Sequence, residues 1–379
     1  MESTIQMNSP PAPRLRELDS LRGLAAIGVL FWHYQGHFHA KPLAEVFEAF
    51  YRAGYYAVDF FFVLSGLVLA RAYANEYRSH RFAENMVKRV ARIFPLHLVT
   101  LVLVALGQYV LVELMGRRQF IVPYNDLYHF ALNLGLAQYV GFQSGFSFNA
   151  PSWSISTEFW VNVLFFIVIS VGWKRLFPIS LGIAAVSLAL VMTTGNGSLG
   201  AANTVAYPAI TLIRTAFGFF VGVALHEAAF REPRAHASNS LLFDAIFIAV
   251  IALLTWGALG HLPFHPRFEV LSVLVAFPVL LLAASRSVLV KQTLRLSPLT
   301  FLGDISFSIY LLHFPLQLLL HVFVVGGWVA LDFQSGWILL LFLGMTIGIA
   351  TFSYYLVELP AQRAVNRWWA VRSKSKPFA

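Results

Sequence analysis

Arg22 and His33 are the two side chains whose types and spacing first suggest chemistry. They lie in the stretch RLRELDSLRGLAAIGVLFWHYQGHF, residues 14–38, which begins basic and turns apolar from Leu24 to Trp32. At about 3.6 residues per turn and 1.5 Å rise, a separation of eleven residues is roughly three turns and 16 Å. Both side chains therefore leave one face of one helix, Arg22 at its mouth and His33 deep inside. A guanidinium suits anionic oxygens. An imidazole with an ordinary pKa of about 6.5 serves as a proton acceptor near neutral pH. Together they read as a binding head and a working end, joined by one continuous channel along the first helix.

Four more ionisable residues fall inside apolar runs: Asp59, Glu158, Arg214 and His313. Charges at membrane depth are expensive and mark function by default. Counting about 1.5 Å per residue from each expected helix end places these four and His33 in one layer, in the outer half of the bilayer. Ion pairs that hold helices together are the alternative reading of this layer. A second layer, Arg22, Arg71, Arg89 and Arg92, lies at the inner ends of the first three spans. Arg89 and Arg92 are three apart and share a face. Guanidinium forks fit phosphate oxygens; anionic-lipid contact is the plainer reading and covers Arg78, Arg81 and the basic tail.

The elements that must position these groups are apolar helices. The chain has 379 residues, 58% hydrophobic and 12% charged, where a soluble domain carries about 25% charged residues. The expected fold is an all-α polytopic membrane bundle of about ten transmembrane helices: 20–38, 54–73, 93–114, 153–171, 177–193, 207–226, 241–260, 269–285, 299–325 and 336–356. A weaker run, 127–141, reads as a short or interfacial helix, with an eleventh crossing as the alternative. With the N-terminus inside, inner segments hold 21 of the 27 Lys and Arg residues, which predicts N-in and C-in. Residues 1–13 are read as a disordered cytoplasmic start, 14–360 as the membrane domain and 361–379 as a basic cytoplasmic tail. The first run carries Arg22 and no clean cleavage site, so it is not read as a signal peptide. Without cysteine there is no disulfide, thiolate metal site or cysteine nucleophile. His37, His39, His261 and His265 fall in expected outer loops without carboxylate partners and are read as surface residues, with no metal site expected.

Six blocks then carry a family resemblance. LDSLRGLAAIGVLFWH resembles the opening signature of the membrane acyltransferase-3 family, an arginine, ten residues, then a histidine. GYYAVDFFFVLSGLVLA, RVARIFPLH, NAPSWSISTEFW and FLGDISFSIYLLHFPL, with VELP near the end, follow in the family's order and spacing. Thr157 and Ile155 depart from the commoner valine and leucine. The resemblance implies transfer of an acyl group, usually acetyl, from cytosolic acyl-CoA to a hydroxyl of a carbohydrate or glycoconjugate, in a bacterial cytoplasmic (inner) membrane. It is to the stand-alone members, which lack an appended esterase-like domain.

The two readings converge on one expected mechanism. Arg22, Arg89, Arg92 and Arg71 hold the phosphates of acyl-CoA. His33 takes the acceptor's hydroxyl proton, and Glu158 or Asp59 fixes its tautomer, following triad logic; an acyl-histidine intermediate is the variant. Tyr310 and His313, with Arg214, Ser152 and Trp153, line the acceptor path, Trp153 stacking on a sugar ring. Ser65, Ser154 and Ser156 are further nucleophile or oxyanion candidates, although Ser65 reads better as bonding its own backbone or packing beside Gly66. The competing class is a proton-coupled transporter with a buried His/Asp/Glu relay; no inverted repeat supports it.

Overall fold

The computed structural model describes residues 14–73, 82–194, 209–231, 240–262 and 266–374. Expectations for 1–13, Arg78, Arg81, Arg234 and His265 lie outside the described residues.

The described chain is helical throughout, with no strand among the described residues. In order it forms α1 (Arg16–Phe38), α2 (Ala44–Ala53), α3 (Tyr56–Tyr73), α4 (Phe82–Tyr109), α5 (Leu127–Leu134), α6 (Trp153–Gly172), α7 (Leu176–Thr194) and α8 (Ile210–Leu225). It continues with α9 (Ser240–Ala258), α10 (Pro266–Leu271), α11 (Phe277–Arg286), α12 (Leu289–Leu294), α13 (Ser297–Asp304), α14 (Ser306–Val325), α15 (Gly336–Ser353) and α16 (Leu359–Lys374). π-helical turns at Ser272–Ala276 and Tyr354–Glu358 join α10 to α11 and α15 to α16.

Among the described residues, nine helical stretches are long and apolar enough to cross a membrane. The expected tenth, α1, has the length, 23 residues or about 34 Å. Its first two turns carry Arg16, Glu17, Asp19 and Arg22, which lowers its hydropathy. It is nonetheless central: Ala26, Val29, Leu30, Phe31 and Tyr34 are buried, and it packs on α2, α3, α13 and α14. The run 127–141 yields only the eight-residue α5, about 12 Å long and too short to span. Its N-cap is Asp126, whose carboxylate accepts from His129 N–H at 2.8 Å.

Three boundaries differ from the sequence expectation. α4 begins at Phe82 rather than residue 93, because a polar first turn is helical without being apolar; Glu84 and Lys88 pair across it at 3.0 Å. The expected span 299–325 is broken at Ile305 into α13 and α14. The final expected span, 336–356, runs on through a π-helical turn into α16.

Small residues set the tightest crossing. A Cβ added at Gly66 of α3 would collide with the Phe219 carbonyl of α8, and one at Gly222 with the Val63 carbonyl of α3. Gly218 and Gly222 are four apart, the spacing that lets two helix backbones approach in a membrane.

Candidate active site

The arginine-bearing helix ends converge on one cavity of about 420 Å³. Its mouth holds Arg14 before α1, Arg22 on α1, Arg71 on α3, and Arg89 and Arg92 on α4. Its wall runs inward past Ser65, Ser154 and Glu158 to Val58, Phe61, Phe62 and Tyr310. The volume lies within the usual range for small-molecule sites, about 300–1,000 Å³. Guanidiniums crowd the mouth, and polar and apolar side chains share the wall beyond it.

The mouth arginines are of two kinds. Arg14 and Arg22 are held by protein groups. Arg14 pairs with Asp19 at 2.6 Å and Asp304 at 2.7 Å. Burial alone would lower the Arg14 guanidinium, but these two carboxylates outweigh it and hold it above its ordinary value. Arg22 donates from Nε to Ser306 Oγ at 2.9 Å and from Nη2 to the Gly303 carbonyl at 2.8 Å. That carbonyl is reachable because α13 ends at Asp304. Asp19 lies 3.3 Å from Arg22. Arg89 and Arg92 differ: no carboxylate among the described residues lies within ion-pair distance of either, and Arg89 Nε is buried without a partner among them. Both line the cavity wall, with the buried Glu358 carboxylate attracting Arg92 from beyond ion-pair distance.

The five ionisable residues expected in one layer separate into three groups. Glu158 lines the cavity and accepts from Ser65 Oγ at 2.6 Å. Ser65 therefore bonds a carboxylate across the cavity, not its own backbone. Asp59 and Arg214 form a buried bidentate pair at 2.9 and 2.7 Å. The guanidinium carbon also lies 5.7 Å over the Trp153 ring, which packs against Phe62 and Tyr139 at 6.2 and 5.9 Å. The third group is imidazole. His33 lies 5.2 Å from His37 and 4.8 Å from His313, between ring centroids.

His33 is oriented by backbone. Its Nδ1 is 3.0 Å from the Val29 carbonyl one turn back, so Nδ1 carries the proton and Nε2 keeps a lone pair. Neither Glu158 nor Asp59 is hydrogen-bonded to it, against the expectation that one would fix its tautomer. A carbonyl four residues back on the same helix does that work.

The expected continuous channel along α1 is not what the structure has. His33 does not line the cavity that begins at Arg22. Tyr310 ends the cavity, and its ring lies 6.0 Å from that of His313. Its hydroxyl donates to the Pro151 carbonyl at 2.9 Å and shares a 2.7 Å bond with Ser154 Oγ. The tethered ring thus lines the arginine-mouthed cavity and neighbours the histidines. Ser152, expected on the acceptor path, is fully buried and held by the Gln138 amide at 3.1 Å.

Two residues near the histidines were misplaced or missed by sequence reasoning. His37 belongs to the last turns of α1 and bonds Gln317 at 2.7 Å, rather than lying in an outer loop; His39 and His261 are exposed, as expected. Gln317 went unmarked, although an amide four residues beyond His313 in an apolar helix was a readable signal.

A family model described as an acyltransferase domain matches residues 15–355. The chain is similar to acyltransferase MdmB of Streptomyces mycarofaciens, 26% identical over 97% of each chain. It is also similar to a putative membrane-bound transacylase, BcsY, of Komagataeibacter xylinus, 25% identical over 94% of this chain and 85% of that one. A protein of the picA locus of Rhizobium radiobacter is 30% identical over 42% of this chain and 84% of its own. No solved structure matches.

Proposed function

The chain belongs to the acyltransferase-3 family and is an integral membrane acyltransferase; from that premise we propose that it moves an acetyl group from cytosolic acetyl-CoA to a hydroxyl of a carbohydrate or glycoconjugate. Its membrane is the bacterial cytoplasmic membrane, with both chain ends on the cytosolic side, as the lysine and arginine skew supports.

The observation that carries this reading is the pair Arg89 and Arg92, two guanidiniums lining the cavity with no carboxylate within ion-pair distance among the described residues. Partly buried cations without a close ion-pair partner are costly, and forked guanidiniums complement phosphate oxygens. Coenzyme A has phosphates at one end and a thioester at the tip of a long, narrow arm. The phosphates sit at Arg22, Arg71, Arg89 and Arg92. The arm runs along the wall, where Glu158 accepts its amide N–H groups. The tip passes Tyr310 to reach His33, by rotation of that ring or of Phe61, which packs edge-on against it at 5.9 Å.

The acceptor's hydroxyl oxygen then attacks the thioester carbonyl carbon. Its proton passes to His33 Nε2, the C–S bond breaks, and the proton goes on to the departing sulfur. The transporter reading of the buried charges is set aside by the acyltransferase family itself.

The test incubates purified protein with isotopically labelled acetyl-CoA and a set of sugars, followed by mass spectrometry. The expected result is loss of acetyl-CoA matched by an acetylated sugar. Absence of acetyl-CoA binding would overturn the reading.

A further inference from the structure

Two pairs of side chains face each other where α1 packs on α14. His33 and His37 are four apart on α1, and His313 and Gln317 four apart on α14. That spacing puts each pair on one helix face. Each imidazole Nδ1 is already engaged: His33 by the Val29 carbonyl, His313 by the Ile309 carbonyl at 3.3 Å, and His37 by Gln317 Oε1. Each neutral ring thus keeps its Nε2 lone pair for something else. On the α14 side, His313 Nε2 and the Gln317 amide nitrogen are buried with no partner among the described residues. His33 and His37 are only partly buried, so the cluster is reachable. No charged side chain is hydrogen-bonded to it.

We propose that this cluster is the acceptor's hydroxyl-binding site, with Gln317 the positioning residue that aims the attacking oxygen at His33. The inference rests on the reading of His33 as the base. The cluster offers three lone pairs and one N–H donor group, without fixed charge. Its complement brings more O–H donors than acceptors: neighbouring hydroxyls of a neutral polyol. One hydroxyl donates to His33 Nε2 and accepts from the Gln317 amide. Its neighbour donates to His313 Nε2. A carboxylate or phosphate would meet three lone pairs with lone pairs of its own, so the hydroxyl presented here comes from an uncharged part of the acceptor.

The test is chemical footprinting of the purified full-length protein with diethyl pyrocarbonate, read by peptide mass spectrometry. Methyl β-D-glucopyranoside is the probe. It is expected to slow modification of His33 and His37 while leaving the exposed His39 and His261 unchanged. Gln317→Leu should need about tenfold more glucoside for equal protection, the loss expected when one buried donor is removed. Gln317→Glu keeps the acceptor for His37 and removes the donor, and should behave alike if the leucine variant folds poorly. Wild-type protein left unprotected by the glucoside would mean that the cluster holds water alone and would overturn the proposal; so would equal protection in wild type and variants. Acetyl-CoA binding is measured on the same samples. Its absence beside intact glucoside protection would sink the donor reading and leave the hydroxyl site standing.

Discussion

Asp59 and Arg214 meet as a matched buried pair, whereas Arg89 and Arg92 line a cavity with no carboxylate within ion-pair distance among the described residues. The same side-chain type serves two ends, and the partner decides which. Breaking a buried pair strands a charge, at a cost of about 3–5 kcal/mol, while replacing both partners by apolar residues is often neutral. Asp59→Ala is therefore expected to destabilise the protein by that amount in denaturant titrations, and Asp59→Ala/Arg214→Met to recover most of it. Acetyl-CoA affinity in the double variant should stay near wild type. A double variant as unstable as the single would show that the pair is more than mutual neutralisation. His33 makes the complementary point. A main-chain carbonyl one turn away is enough to set a tautomer, so a histidine inside a helix needs no carboxylate to present a free Nε2.

Helices were legible because hydropathy reports depth. Ten apolar runs announced the long helices, and the short α5 followed from the polar residues Asn133 and Gln138 in its run. Which way a residue faces was not legible. Counting from helix ends gave Glu158 and His33 the same depth, yet one faces the arginine-mouthed cavity and the other faces α14. Depth is a property of one helix; azimuth is decided by neighbours, and a single sequence carries no signal for them. The break at Ile305 was hidden for a related reason, since an apolar run looks the same whether or not its hydrogen-bond ladder is interrupted. The α3–α8 crossing is the element most exposed to test. Gly222→Ala places a methyl against the Val63 carbonyl, and overpacking of this kind costs about 1–3 kcal/mol. Thermal unfolding in detergent should register that loss, whereas Gly344→Ala, with open space around its Cα, should not.

Taken whole, the protein has a cationic cavity and, beyond Tyr310, a cluster of imidazoles and an amide without a hydrogen-bonded charge. Under the proposed function, donor and acceptor approach from opposite faces of the membrane. Because the chain has no cysteine, single introductions report sidedness cleanly. In intact cells a membrane-impermeant maleimide should label Arg118→Cys, in the loop before α5, and should not label Ser373→Cys until the membrane is opened. The reverse pattern would turn the donor cavity away from cytosolic acetyl-CoA.

The most direct single measurement compares acetyl-CoA binding and turnover in Arg92→Ala and His33→Ala side by side. Arg92→Ala should bind about tenfold or more weakly, as expected for losing a charge-assisted contact. His33→Ala should bind as wild type does and turn over about 10²–10⁴-fold more slowly. Wild-type binding by Arg92→Ala, or wild-type turnover by His33→Ala, would contradict the account.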